Sequence, residues 1–233
     1  KISFGSSGSI LRLVGDTVFD GVVFYALRSS IYACCNYIEI TEKCGGTITN
    51  IYGNDPESEE TIIEPGSMVI NGTAEIDYVY GIVITSDKDY TIKGDIKINA
   101  SNPNVLYYFG VCNFYGYDRD NIVVNGDISV SYNGTGSQST GYRMIYAING
   151  AMNATVVGDV FIDVARINSF AASINGIYDA EAQNVEITIK NGSTIASVTP
   201  NVGGVANSSE IVIYDGEISG VNASGFDTGY GEN

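Results

Sequence analysis

Three aspartates recur in nearly the same phrase and at equal spacing, so they are the first candidates for chemistry. They are Asp95 in "TIKGDIKINA", Asp127 in "NIVVNGDISV" and Asp159 in "ATVVGDVFID", each directly after a glycine and 32 residues apart. If the phrases pair as neighbouring strands, the three carboxylates stack at steps of ~4.8 Å and repel one another. A Ca²⁺ ion would relieve that repulsion. The alternative, which we favour, is that each aspartate accepts a backbone N–H of its own turn and points to solvent.

Catalytic signatures are scarce in this chain. It has no histidine, which excludes Ser-His-Asp and Cys-His catalysis and histidine-bearing zinc sites. It also has no phosphate loop, dinucleotide fingerprint or G-x-S-x-G elbow. The segment "YDRDN" offers Asp118, Arg119 and Asp120 to a lyase-like site. A solvated loop with local charge pairing is the alternative, and the chain has only five arginines. We therefore expect no enzymatic activity.

Four cysteines allow several arrangements. Cys34, Cys35, Cys44 and Cys112 show no C-x-x-C spacing, which makes a zinc ribbon improbable. A disulfide from Cys44 to Cys34 or to Cys35 is one option. Cys112 aligns with Cys35 three repeats away, about 14 Å by strand spacing and beyond disulfide reach. It is then either a buried thiol or a cross-link to a neighbouring chain.

Asparagine and tyrosine each have a structural and a functional interpretation. Seventeen tyrosines occur without any tryptophan, which fits either stacked aromatic ladders or a sugar-binding platform. Asparagines in N-x-S/T sequons fit either turn chemistry or glycosylation of a secreted chain. The seven sequons begin at Asn71, Asn99, Asn133, Asn153, Asn191, Asn207 and Asn222.

Charge and hydropathy exclude further classes of function. The 233 residues carry 27 acidic and 11 basic side chains, a net charge of −16. Nucleic-acid binding needs a basic surface that this chain lacks, and anionic membranes are disfavoured for the same reason. No apolar run is long enough to predict a membrane span. We expect an acidic loop, "NDPESEE", to be a solvated excursion; its acids are Asp55, Glu57, Glu59 and Glu60.

The elements that must position these residues are short strands in a repeat. Apolar residues alternate with a period of two around each phrase, as at Ile96 and Ile98, which is the strand signal. Aromatic or small residues before Gly or Ala form a second landmark, from Tyr32-Ala33 and Tyr52-Gly53 to Gly203-Gly204. The glycine anchors of the repeat are Gly15, Gly46, Gly66, Gly94, Gly126, Gly158, Gly192 and Gly216.

Units of this length are too short for propeller blades, which need ~40–50 residues. They predict an all-β fold: a single parallel β-solenoid (β-helix) of about eight coils, with 20–34 residues per coil. One such domain would occupy residues 1–233 and could belong to a longer chain. Few helices are expected.

The h-x-G-D-h-x-h phrase, with h apolar, resembles the right-handed parallel β-helix proteins in the broad pectin-lyase-like and adhesin-like sense. The resemblance covers about residues 10–220 and implies the right-handed coil. Many such proteins act on polysaccharides, but their hydrolases carry an active-site histidine that this chain lacks.

We expect a non-enzymatic extracellular structural protein that self-assembles into a cell-surface layer, sheath or fibre, or forms an adhesin-like stalk. The alternative is a polysaccharide-binding or polysaccharide-cleaving β-helix. Further copies of the chain are the expected partners, with cell-surface glycans as the second choice. No cofactor is expected beyond structural Ca²⁺ at Asp95, Asp127 and Asp159.

Overall fold

The protein is an all-β chain of parallel strands. The computed structural model describes residues 2–3, 8–114, 121–134, 143–149, 153–178, 180–191, 193–214 and 216–218. These residues form twenty-two strands and no helix. The predicted all-β class is therefore confirmed for the part of the chain described. No helix there is long and apolar enough to cross a membrane.

The strands, in chain order, are β1 (Ile2–Ser3), β2 (Ile10–Arg12), β3 (Thr17–Phe19), β4 (Val23–Tyr32), β5 (Ile38–Ile40), β6 (Gly45–Tyr52), β7 (Ile62–Ile63), β8 (Met68–Ile70), β9 (Glu75–Ile84), β10 (Tyr90–Lys93), β11 (Ile96–Ala100), β12 (Val105–Asn113), β13 (Asn121–Asn125), β14 (Ile128–Asn133), β15 (Arg143–Asn149), β16 (Asn153–Val156), β17 (Val160–Ala165), β18 (Asn168–Tyr178), β19 (Ala180–Lys190), β20 (Ser193–Val202), β21 (Val205–Ile213) and β22 (Gly216–Ile218).

Two large parallel sheets contain all of these strands. The ten-stranded sheet has the order β1-β4-β6-β9-β12-β15-β18-β20-β22, with β2 also beside β4. The twelve-stranded sheet has the order β3-β5-β8-β11-β14-β17-β19-β16-β13-β10-β7, with β21 beside β19. The chain alternates between the sheets: β10 and β11 belong to the second, β12 to the first, and β13 and β14 to the second again.

Strand register shows that the sequence repeat is a pairing repeat. Ile96 is paired with Ile128, and Ile128 with Val160, so that successive partners are 32 residues apart. The same step shortens to 21 residues from Thr17 to Ile38. Equivalent side chains therefore stack in columns although the connecting segments differ in length.

The alternating pattern in the sequence explains how each strand is buried. In β11 the side chains of Ile96, Ile98 and Ala100 are buried, while Lys97 and Asn99 are exposed. Burying one such isoleucine contributes roughly 1.5–3 kcal/mol. A column of them along a sheet provides a continuous apolar face.

Both sheets contribute to one hydrophobic core. Ile128 from the twelve-stranded sheet and Tyr108 from the ten-stranded sheet are both buried within it. The sheets approach closely, because a Cβ added to Gly110 in β12 would lie 2.6 Å from Cγ2 of Ile128. Glycine at this position lets the two layers meet.

The eight glycine anchors do not form a single column. Gly94, Gly126 and Gly158 do align, because the strands on either side of them pair in register. Gly66 lies between two strands of the same sheet, β7 and β8, but is displaced by two residues, because Met68 is paired with Ile98. Gly15 has the same offset as Gly66, because Thr17 is paired with Ile38 and Ile38 with Met68. The anchors in register among those described are therefore Gly94, Gly126 and Gly158.

Two other anchors belong to the opposite sheet. Gly46 lies in β6 and Gly216 in β22, and Gly192 is outside the described residues. The sequence pattern grouped glycines from both sheets because either sheet requires glycine where two backbones approach closely. A Cβ on Gly46 would lie 2.1 Å from the carbonyl oxygen of Phe24.

Candidate functional site

The aligned aspartates form a polar ladder on the outward side of the twelve-stranded sheet. The backbone N–H of Asp127 donates to Oδ1 of Asp95 at 3.0 Å, and the N–H of Asp159 donates to Oδ1 of Asp127 at 2.9 Å. Nδ2 of Asn184 then donates to Oδ1 of Asp159 at 2.7 Å. Each carboxylate thus bonds the next repeat rather than its own turn, which corrects the turn-capping interpretation.

Charge at the start of this ladder is balanced locally. Nζ of Lys97 lies 2.8 Å from Oδ2 of Asp95. The hydrogen bond from Lys97 and that from the Asp127 N–H lower the pKa of Asp95. Lys97 therefore offsets the charge of Asp95, the first carboxylate of the ladder. In the part of the chain described, no three Cys, Asp or Glu side chains come together to hold a metal ion.

The glycines before Asp127 and Asp159 leave space for atoms of the preceding repeat. A Cβ on Gly158 would lie 2.2 Å from Oδ1 of Asp127. A Cβ on Gly126 would lie 2.4 Å from the carbonyl carbon of Gly94. The Gly-Asp pair is therefore one unit: the glycine admits the preceding repeat, and the aspartate bonds to the following one.

Aromatic side chains form a second ladder, on the outward side of the ten-stranded sheet. The ring centroids of Tyr52 and Tyr80 are 5.0 Å apart, and those of Tyr80 and Phe109 are 5.2 Å apart, with nearly parallel planes. Tyr146 continues the stack at 5.3 Å from Phe109, and Tyr32 meets Tyr52 edge-on at 5.1 Å. The second sequence landmark predicted these positions.

The aromatic ladder ends at Tyr146, because the next two positions of the column are not aromatic. Tyr146 is paired with Asn175, and Asn175 with Thr199. The last predicted landmark, Gly203-Gly204, lies after β20 rather than in this column.

Stacking within the ladder restricts what it can bind. A sugar ring packs on the open face of an aromatic ring. Here the faces of Tyr80 are covered by Tyr52 and Phe109, and Tyr80 is only 3% exposed. Burial raises the pKa of Tyr52 to about 12. The geometry suits a stabilising ladder better than a sugar-binding platform.

The cysteines are four free thiols. Cys44 is buried, and its Sγ donates to the carbonyl of Phe19 at 3.0 Å, so it forms no bridge to Cys34 or Cys35. Cys112 is 2% exposed, and burial raises its pKa to about 11. Both features favour the buried-thiol alternative for Cys112 over the cross-link to a neighbouring chain.

Most of the sequon asparagines reach solvent. Asn71 is half-buried, and its Oδ1 accepts from Oγ of Ser101 at 2.7 Å. Asn222 lies outside the described residues, as do Asp118, Arg119 and Asp120 of the lyase-like segment. The exposed sequon residues are Asn99, Asn133, Asn153, Asn191 and Asn207.

A buried arginine was not anticipated from the sequence. Arg143 at the start of β15 is 2% exposed. Its Nε donates to the carbonyl of Val105 at 3.1 Å, Nη1 donates to the Tyr132 hydroxyl at 2.8 Å, and Nη2 donates to the carbonyl of Pro103. Its guanidinium also lies 4.8 Å from the centre of the Tyr132 ring. Arg143 therefore anchors the segment between β11 and β12, and no spacing in the sequence indicates this.

The acidic loop after β6 is exposed from Glu57 to Glu60, as expected, and it also lines a cavity. Arg12 pairs with Asp55 at 2.9 Å and also with Glu57, and Lys88 lies 3.7 Å from Glu59. Cys34 and Cys35 are among the residues that line the cavity below the loop. Both adopt the left-handed backbone region, with φ of 52° and 65°.

Comparisons with protein-family models, curated proteins and solved structures found no match to this chain.

Proposed function

We propose that the two sheets are walls of one parallel β-helix and that the protein has an extracellular structural role. Three features support the β-helix. Strands one repeat apart pair in parallel in both sheets, the chain alternates between the sheets, and one core lies between them. Each circuit of the chain would then be one coil.

The main support for the structural role is that potentially reactive side chains connect neighbouring repeats. The Asp95, Asp127 and Asp159 carboxylates bond successive repeats to one another, and the tyrosines stack along the same direction. In an enzyme we would expect such groups to converge on a substrate-sized site. Here they are distributed along the stack, which is what a stiff rod requires.

Composition and surface support an extracellular setting. The chain has a net charge of −16 and few charged residues overall. Five sequon asparagines are exposed and available to a glycosylation system. Attached glycans would add a hydrated layer to a wall, sheath, fibre or stalk.

Exposed apolar side chains on outer strands support stacking of further strands. Val18 in β3 is 55% exposed, and Val205 in β21 is 66% exposed. A strand added beside either one would bury apolar surface and extend the ladder. That strand could come from a second copy or from another part of a longer polypeptide.

Sedimentation and electron microscopy of the native, unfragmented protein test this proposal. We expect extended particles that lengthen or associate as concentration rises. A compact monomer at high concentration would contradict the proposal. Because Cys112 is buried, adding a reductant should leave the particles unchanged.

A polysaccharide-active β-helix is the competing function, and a glycan panel separates the two. A structural role predicts no product release from polygalacturonate or related glycans. Product release that is lost in Arg119→Ala would support the competing function instead.

A further inference from the structure

The acidic loop after β6 lines a cavity. Its volume is about 210 Å³, below the ~300–1,000 Å³ of typical small-molecule pockets. It lies where the ten-stranded sheet turns toward the twelve-stranded sheet. Val83 and Thr85 contribute one wall, and Ile63 and Tyr90 contribute another.

The roof of the cavity is held in place by several contacts. Asn54 exchanges two hydrogen bonds of 2.9 Å with the backbone of Val83. Oγ of Thr85 donates to the carbonyl of Pro56 at 2.8 Å. The ion pair of Arg12 with Asp55 fixes the outer side of the loop. The cavity is therefore formed before any ligand arrives.

The lining combines negative charge with an apolar floor. Asp55 and Glu60 are the ionisable carboxylates of the lining, and no lysine or arginine is among the lining residues. Burial is the largest cause of the rise in the Cys35 pKa to about 11, but Glu60 and Asp55 also raise it. Both carboxylates therefore add to the free-energy cost of a negative charge at Cys35.

Glu60 differs from the other acids of its loop. Asp55 and Glu57 pair with Arg12, and Glu59 pairs with Lys88. Among the described residues, no cation forms an ion pair with Glu60, although Glu60 lines the cavity. Glu60 is exposed to solvent, so a cationic ligand could pair with it without breaking an existing ion pair.

We propose that this cavity binds a small organic ammonium ion with a short apolar body. The ammonium group would donate hydrogen bonds to the Glu60 carboxylate and lie near Asp55. The apolar body would contact Ile63, Val83 and Pro56. The net charge of −16 would raise the local concentration of such cations.

Other ligand classes fit the lining less well. An anion would face two carboxylates without a lysine or arginine in the lining to receive it. A divalent metal ion would lack a set of ligands, because no three acidic or cysteine side chains meet within the described ranges. A neutral apolar molecule would gain no electrostatic attraction from the Glu60 carboxylate.

Calorimetric titration with n-butylammonium chloride tests the proposal, with n-butanol and CaCl₂ as comparison ligands at matched ionic strength. We expect saturable one-to-one binding of butylammonium that weakens about tenfold in Glu60→Gln, the loss of one charge-assisted hydrogen bond. Glu59→Gln is the matched control, because Glu59 is 93% exposed and is not part of the lining. It should change the affinity less than about twofold.

A second measurement locates the site. Butylammonium should slow maleimide modification of Cys34 or Cys35, read by peptide mass mapping, and n-butanol should not. Four results would each overturn the proposal: no saturable binding, equal weakening by the two variants, equal binding of n-butanol, or Glu60-dependent binding of Ca²⁺ without binding of butylammonium. Both variants should fold, since neither side chain is buried.

Discussion

The outward faces of the two sheets hold the same stack together by different chemistry. On the twelve-stranded sheet, aspartates bond the backbone of the next repeat, from Asp95 to Asp127 and from Asp127 to Asp159. On the ten-stranded sheet, aromatic rings from Tyr52 onward stack at about 5 Å. Both ladders repeat at the strand spacing. The polar ladder consists of directed hydrogen bonds, whereas the aromatic ladder consists of buried ring surfaces.

The polar ladder fixes the strand register, whereas the aromatic ladder contributes more to stability. A carboxylate that accepts one particular N–H fixes the register, because a slip by one residue would move the side chain to the opposite face. An aromatic stack tolerates lateral shifts but contributes more burial, with ~0.5–1.5 kcal/mol per ring pair beyond the area term. We therefore expect substitutions in the aromatic ladder to cost more stability than substitutions in the polar ladder.

Tyr80→Ala should have the largest effect. Tyr80 is 3% exposed and contacts Tyr52, Tyr78 and Phe109. Removing it should lower the free energy of unfolding by about 3–5 kcal/mol. Tyr80→Phe retains the stack and should cost less than about 1 kcal/mol. Urea unfolding followed by circular dichroism checks both, and equal losses would show that the hydroxyl, rather than the stack, stabilises this face.

Substitution of a glycine in the polar ladder should have the second-largest effect on stability. Gly126→Ala places a Cβ 2.4 Å from the Gly94 backbone, which cannot move as a side chain could, so we expect a loss of about 3 kcal/mol. Gly94→Ala meets no atom within 4 Å and is strained only by its φ of 114°. That strain should cost about 1–2 kcal/mol.

Thermal unfolding of the two glycine variants under identical conditions measures this difference. If Gly94→Ala destabilised the protein as much as Gly126→Ala, close contact between repeats would not be the reason for the glycine column.

Asp127→Ala should have a smaller effect, because one hydrogen bond to the Asp159 N–H is lost. We expect about 1–2 kcal/mol of destabilisation. Asp127→Asn keeps an acceptor oxygen and should retain most of the stability. Hydrogen exchange of the Asp159 amide provides a local measurement: it should accelerate in the alanine variant and stay protected in the asparagine variant. Acceleration in both would contradict a role for the side-chain oxygen.

The sequence predicted the features that depend on local spacing. Period-two alternation at Ile96 and Ile98 gave the strands, and the aromatic landmark at Tyr52 and Tyr80 gave a real column. Gly46 was misassigned because the need for glycine at a close backbone approach is the same in both sheets. A glycine alone does not indicate the sheet to which it belongs.

Features that depend on distant segments could not be predicted in this way. Arg143 bonds carbonyls about forty residues earlier in the chain. The cavity forms only when the loop after β6 lies over the end of β9. The same limit applied to Asp127, whose chemistry was recognised but whose bonding partner belongs to the next repeat.

Removing the charge of Asp95 should have the smallest effect on stability, and this effect should disappear in acid. Lys97 and the Asp127 N–H lower the pKa of Asp95 below its unfolded value of about 3.9. The stability linked to this charge is therefore present above about pH 4 and is lost as the pH falls through the folded pKa. Asp95→Asn keeps the acceptor for Asp127 but removes the charge, and because Asp95 is exposed it should cost under about 1 kcal/mol at neutral pH.

Urea midpoints of the variant and the wild type should converge as the pH falls below the folded pKa. Tyr80→Phe is the control from the other ladder, and its difference from wild type should stay constant over the same range. A gap between Asp95→Asn and wild type that widens in acid would show that the charge of Asp95 destabilises the stack.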